Sequence, residues 1–94
     1  MNFTDKTKLT RSDIAKMVKP LQWVKEYPIV YADVFYLKLL YYKKNDIFLV
    51  HAGIYYDKDS VLSFVSTAEN EDEAKQIAEN FVINTVCDAL QIEE

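Results

Sequence analysis

The stretch YADVFYLKLLYYKKNDIFLV, residues 31–50, decides the fold. It is dense in Val, Ile, Leu, Tyr and Phe, side chains that suit a pleated, half-buried surface. Between positions 29 and 42 the only charges are Asp33 and Lys38. That run is longer than an ordinary strand of about five or six residues. A bend near Asp33 or Val34 is therefore expected, giving two strands, or one long strand with a bulge. KKND, residues 43–46, reads as a hairpin turn, because Asn and Asp tolerate the backbone angles a tight turn needs. IFLVHAGIYY, residues 47–56, returns as the partner strand, and Gly53, the only glycine of the chain, marks an expected bulge.

Working outward, LQWVKE (21–26) reads as a first strand carrying Trp23, and Pro28 turns the chain after it. DKDS (57–60) is a further polar turn and VLSFVS (61–66) a last strand. The segment from Thr67 onward reads as a long helix, with Asn70 and Glu73 at capping-box spacing and acids crowding the first turn. On a helical wheel Ala74, Ala78, Phe81, Val82, Thr85, Ala89 and Ile92 form a stripe that should face the sheet, with Ile77 and Val86 at its edges. Ile83, Cys87 and Leu90 fall nearly opposite, a second apolar patch and the candidate dimer interface. Before the strands, SDIAKMVKP reads as a two-turn helix with Ser12 as N-cap and Pro20 as its stop. No second recognition helix follows it, so a helix-turn-helix is not expected.

The expected fold class is α+β: an antiparallel β-meander of four to five strands packed on one C-terminal α-helix, with a short N-terminal helix. Residues 1–94 form one domain, divided into an N-terminal arm and short helix (1–20), the sheet (21–66) and the C-terminal helix (69–92). A chain of 94 residues, half of them apolar, buries roughly 60 to 68% of its unfolded surface and has no material for a second core.

The strands pose a problem of coverage. Along 30–42 the even positions present Val30, Ala32, Val34, Tyr36, Leu40 and Tyr42, and the odd ones Tyr31, Phe35, Leu37, Leu39 and Tyr41. Both series are apolar, yet one helix covers one face. The other must meet solvent, the N-terminal helix, a second copy or a partner, and large exposed apolar patches are uncommon on soluble monomers. Tyr31, Tyr36 and Tyr41 are the candidate partner contacts on that face, since tyrosine has an apolar body and a polar tip.

Charge is unevenly spread. The net of −4 divides into +3 over residues 1–26, balance over 27–66, and −7 over 67–94. Glu71, Asp72, Glu73 and Glu79, together with Glu69, offer a carboxylate row that either caps a solvated helix or imitates nucleic acid toward a basic channel on another protein. A basic stripe is missing, so direct nucleic-acid binding is not expected. Base stacking on Tyr36, Tyr41, Tyr42, Tyr55 or Tyr56 beside Lys38, Lys43, Lys44 and Lys58 is opposed by equal numbers of acids in that region.

Residues for catalysis do not assemble. His51 is the only histidine, and Cys87, the only cysteine, sits mid-helix, away from an N-terminus that would lower its pKa. Asp57, Asp59 and Glu69 lack the glycine and the closing glutamate of an EF-hand loop. One glycine cannot build a phosphate-cradling loop. The expectation is no enzyme, no catalytic residue, no metal and no cofactor. A polar N-terminus, no apolar run of membrane-span length and no cysteine pair point to the cytoplasm and away from membranes.

Trp23, Ala32, Tyr36, the lysine-rich turn and then STAENEDEAKQIAENFVINTVCDAL resemble small phage and prophage proteins, in which a tryptophan-bearing strand and meander precede a terminal T-x-E-E-A-K helix. The likeness covers residues 21–90 and departs at the first 20 residues and at AENEDEAK. It implies a host-takeover or anti-defence factor, anti-CRISPR proteins included, encoded by a phage and acting in the bacterial cytoplasm. Such a protein blocks a defence or host complex by occupying a functional surface, without catalysis. A structural or accessory homodimer and a weak single-strand binder are the alternatives.

Overall fold

Two hairpins make the centre of the molecule. The computed structural model describes residues 9–54 and 62–92. In chain order the elements are α1 (Arg11–Val18), β1 (Val24–Glu26), β2 (Ile29–Val34), β3 (Leu37–Lys44), β4 (Ile47–Ile54), β5 (Ser63–Ala68) and α2 (Glu71–Ala89). The strands form one antiparallel sheet in the order β1-β2-β3-β4-β5, the meander expected.

The bend falls at Phe35 and Tyr36, which join the paired residues Val34 and Leu37. Phe35 takes φ 54 and Asn45, in the expected β3–β4 turn, takes φ 60. Asn enters this left-handed region readily; for Phe it is an outlier. The two-residue loop also switches parity. Val34 and Leu37 share a face, so even residues of β2 and odd residues of β3 point the same way. Val30, Ala32, Leu37, Leu39 and Tyr41 are accordingly buried together. A single alternating series along 30–42 therefore mixes faces, which corrects the grouping of three tyrosines on one surface. Tyr31 lies on the open face, Tyr41 is buried under the helix, and Tyr36 sits at the hairpin tip.

Gly53 pairs regularly with Lys38. The bulge lies instead between β4 and β5: Val50 opposes Ser66 and His51 opposes Phe64, leaving Val65 as the extra residue. The first strand is shorter than expected, its pairing beginning at Val24. The predicted DKDS turn, with Tyr55, Tyr56, Asp57, Lys58 and Asp59, lies outside the described residues.

Helix α2 starts at Asn70, whose side chain accepts the Glu73 amide at 2.8 Å, while Glu73 Oε1 accepts the Glu69 amide at 3.1 Å. It ends in a Schellman motif: Gln91 has φ 57 and the Ile92 amide donates to the Cys87 carbonyl at 2.8 Å. Helix α1 is capped by Thr10 rather than Ser12. Thr10 and Asp13 close a reciprocal box in which Asp13 Oδ2 accepts the Thr10 amide at 2.9 Å and Thr10 Oγ1 accepts the Asp13 amide at 3.2 Å. The backbone bond from Thr10, helped by its hydroxyl, holds the Asp13 carboxyl below the usual range.

Helix α2 packs across β3, β4 and β5, and α1 packs against α2. An eight-residue helix is marginal alone. Burial of Ile14 and Val18 supplies roughly 1.5–3 kcal/mol each, and Arg11 donates a hydrogen bond to Asn84 Oδ1 across the two helices. This docking overturns one expectation. Ile83 and Cys87 are only 3% exposed, because α1 packs on the flank of α2 where they lie; they belong to the core, and of the proposed dimer patch only Leu90 remains at the surface. The sheet-facing stripe is correspondingly rotated, with Val86 inside it and Ala89 exposed.

Candidate functional site: an apolar groove beside an open sheet face

Eleven large apolar side chains are exposed among the described residues. They are not scattered. Four of them, Val24, Ile29, Ile47 and Phe64, stand on the sheet face turned away from the buried series. Register lines up Val24, Tyr31, Leu40, His51 and Phe64 across all five strands. Within that row and beside it the rings are organised. Tyr42 stacks on His51 (5.5 Å, 14°), His51 meets Phe64 edge-on (5.7 Å, 74°), and Lys38 Nζ lies 5.0 Å from the Tyr31 ring. His51 Nε2 is buried, with no hydrogen-bond partner among the described residues. This is the half-covered, flat surface that one-sided helix packing leaves.

Five more, Leu9, Met17, Phe35, Tyr36 and Leu90, line a groove of about 260 Å³ at one end of the molecule. Ile14 and Val86 take part in its lining. Three separate pieces of chain meet here for reasons readable in each. The Schellman ending turns the chain after Leu90, the Thr10 cap fixes where Leu9 leaves α1, and the tight Phe35–Tyr36 loop projects two rings from the β2–β3 hairpin. Phe35 is 57% exposed as well as left-handed, so neither packing nor backbone preference accounts for a phenylalanine there. Side chains kept in such geometry cluster at functional sites.

The groove gathers Tyr36 and Leu90 from among the predicted contact residues, and it gathers no others. Glu71, Asp72, Glu73 and Glu79 lie on α2, three of them in its first turn, at the far end of the helix from Leu90. Two of these acids have structural partners: Glu73 caps, and Glu71 accepts the Tyr41 hydroxyl at 2.9 Å. Burial, with the Glu71 bond second, pushes the Tyr41 hydroxyl pKa up. Phe35, Met17 and Leu9 were missed by sequence reasoning. Only a left-handed Phe in a two-residue loop would have revealed them, and no pattern in the sequence marks it.

His51 on the open face and Cys87 in α2 stand on opposite sides of the sheet, so they form no Cys–His pair. Among the described residues no cluster of three or more His, Cys, Asp or Glu could hold a metal ion. No described helix is long and apolar enough to cross a membrane. No family model, no curated protein and no solved structure matches the chain.

Proposed function

We propose that this chain is a non-enzymatic binding domain that seats uncharged, apolar side chains of a protein partner in the end groove. The observation that carries the reading is the convergence of Leu9, Met17, Phe35, Tyr36 and Leu90 on one concavity with a conformationally costly Phe at its lip. Aromatic residues and Met are the side chains enriched at protein interfaces. A second copy is a poor occupant. Outside the groove, the exposed apolar side chains of the described chain lie on the flat sheet face, or singly at Tyr27 and Ile54, and offer no projecting set to fill a concavity. Nucleic acid is a poor occupant too, because none of the lining residues is charged.

The resemblance to small phage and prophage proteins supports a bacterial defence complex, CRISPR effectors included, or another host complex as the partner, with inhibition by occupancy as the effect in the host cytoplasm. The acidic-mimic version is less well supported, since two of its carboxylates are engaged inside the chain. The test titrates purified defence effectors with the wild type and with Leu90→Asp, Phe64→Asp and Glu71→Lys/Asp72→Lys variants. Inhibition should weaken at least about tenfold in Leu90→Asp and persist in the others, a loss typical of one interface anchor. Equal inhibition by Leu90→Asp sinks this reading.

A second reading rests on the open face. The row from Val24 to Phe64 crosses the whole sheet, and a second copy packing on it face to face would cover both rows at once. Light scattering at high concentration tests it: a homodimer dispersed by Phe64→Asp supports it, and a monomer removes it.

A further inference from the structure

At the other end of α2 the sheet runs on past the helix start, and a cavity of about 440 Å³ opens there. Val30, Tyr41 and Phe48 line it from the helix-facing side of β2, β3 and β4, Tyr27 from the β1–β2 turn, and Lys43 and Glu71 from β3 and the first turn of α2. Its volume falls in the range of small-ligand pockets, about 300–1,000 Å³.

With Pro28 and Tyr42 the lining numbers eight residues, four of them aromatic, and the Tyr41 and Phe48 rings are locked. Tyr41 makes edge contacts with Trp23 (5.2 Å, 64°) and with Phe48 (5.9 Å, 75°). Its hydroxyl donates to Glu71 Oε2 and so fixes the carboxylate beside the rings. Glu71 Oε1 has no partner among the described residues, and Lys43 makes no ion pair with it. Glu71 and Lys43 are the charged residues of the lining, and Asp72, next along α2, adds a second negative charge that acts on the Tyr41 hydroxyl. Two negative charges against one positive disfavour an anion. An uncharged apolar guest would leave the carboxylate without a use. A compact, strongly hydrated cation gains little from aromatic walls, whereas a weakly hydrated one gains from ring faces and carboxylate together.

We propose that this cavity binds an organic ammonium ion, quaternary or alkyl-substituted, held against the Tyr27 and Phe48 rings and paired with Glu71. The same chemistry is carried by a free choline-like molecule and by a trimethylated lysine side chain. The site is separate from the end groove and stands or falls without it.

The full chain is titrated with choline and with its uncharged isostere 3,3-dimethylbutan-1-ol, following the ring resonances of Tyr27 and Phe48 by NMR. Choline should saturate and bind about tenfold more tightly than the isostere. Tyr27→Ala and Glu71→Gln should each weaken it severalfold at unchanged melting temperature. Tyr27 is 72% exposed, so its loss leaves the fold standing, and Gln keeps an acceptor for the Tyr41 hydroxyl. A trimethyllysine peptide forms the second arm. Tighter binding of the peptide assigns the site to a modified protein, and tighter binding of choline assigns it to a free metabolite. Equal affinity for the isostere and choline, or no saturable shift with either choline or peptide, overturns the proposal.

Discussion

The Tyr41 hydroxyl donates a 2.9 Å hydrogen bond to Glu71 Oε2, tying the middle of the sheet to the first turn of α2 across thirty residues of chain. A bond to a charged acceptor that is partly open to water contributes about 1 kcal/mol. Tyr41→Phe should lower the urea midpoint by a corresponding amount, with the slope of the transition unchanged. The same pair sets a pH response. The Tyr41 pKa is raised in the folded chain above its ordinary value of 10.0, so the native state keeps this proton to higher pH than the unfolded state does. Its contribution is complete below pH 10 and is lost as pH rises beyond it. Urea midpoints across this range should fall in the wild type and fall less in Tyr41→Phe.

Cys87, on α2, is 3% exposed and belongs to the core cluster that also holds Ile14 and Val18 of α1. A thiol reagent should therefore modify it only as fast as the chain opens, and urea should raise the rate by orders of magnitude. Rapid labelling of the native protein would return Cys87 to the surface and undo the packing of α1 on α2.

Much of this architecture was legible in the sequence because the period of the apolar residues is explicit. The Asn45–Asp46 turn and the Asn70 cap follow from residue chemistry alone, and the length of the apolar run 29–42 requires a break or a bulge, though not its place at Phe35–Tyr36. What could not be read is where the faces go. The loop Phe35–Tyr36 has no glycine, asparagine or aspartate to announce a two-residue turn, so the parity switch that hides Tyr41 and exposes Tyr31 was invisible. A helical wheel for α2 accounts for one neighbour, the sheet. A second neighbour, α1, converts Ile83 and Cys87 from surface to core, and only tertiary packing decides where an eight-residue helix docks. Of the groove, Tyr36 and Leu90 were legible as exposed apolar residues, while their meeting with Leu9, Met17 and Phe35 was not.

Phe35 holds φ 54 at the hairpin tip. Phe35→Gly removes a β-carbon clash worth about 1 kcal/mol and should raise the melting temperature by a few degrees. The same change removes a groove ring, so gain of stability and loss of partner binding should appear in one variant. A drop in melting temperature would mean that the ring is held by packing rather than displayed.

Leu39 has no exposed surface and Leu90 is 53% exposed. Leu39→Ala should cost about 2–5 kcal/mol through the cavity it leaves, against well under 1 kcal/mol for Leu90→Ala. Chemical denaturation of the two variants checks the contrast, and comparable losses would show that the groove belongs to the core.

The most direct measurement places a photo-reactive phenylalanine at position 36, and separately at 64, in cells that express the chain and identifies what each captures. Position 36 should give a discrete adduct with a different protein, an adduct that Leu90→Asp abolishes. Capture from position 64 alone, or a crosslinked pair of this chain from position 36, contradicts docking at the groove.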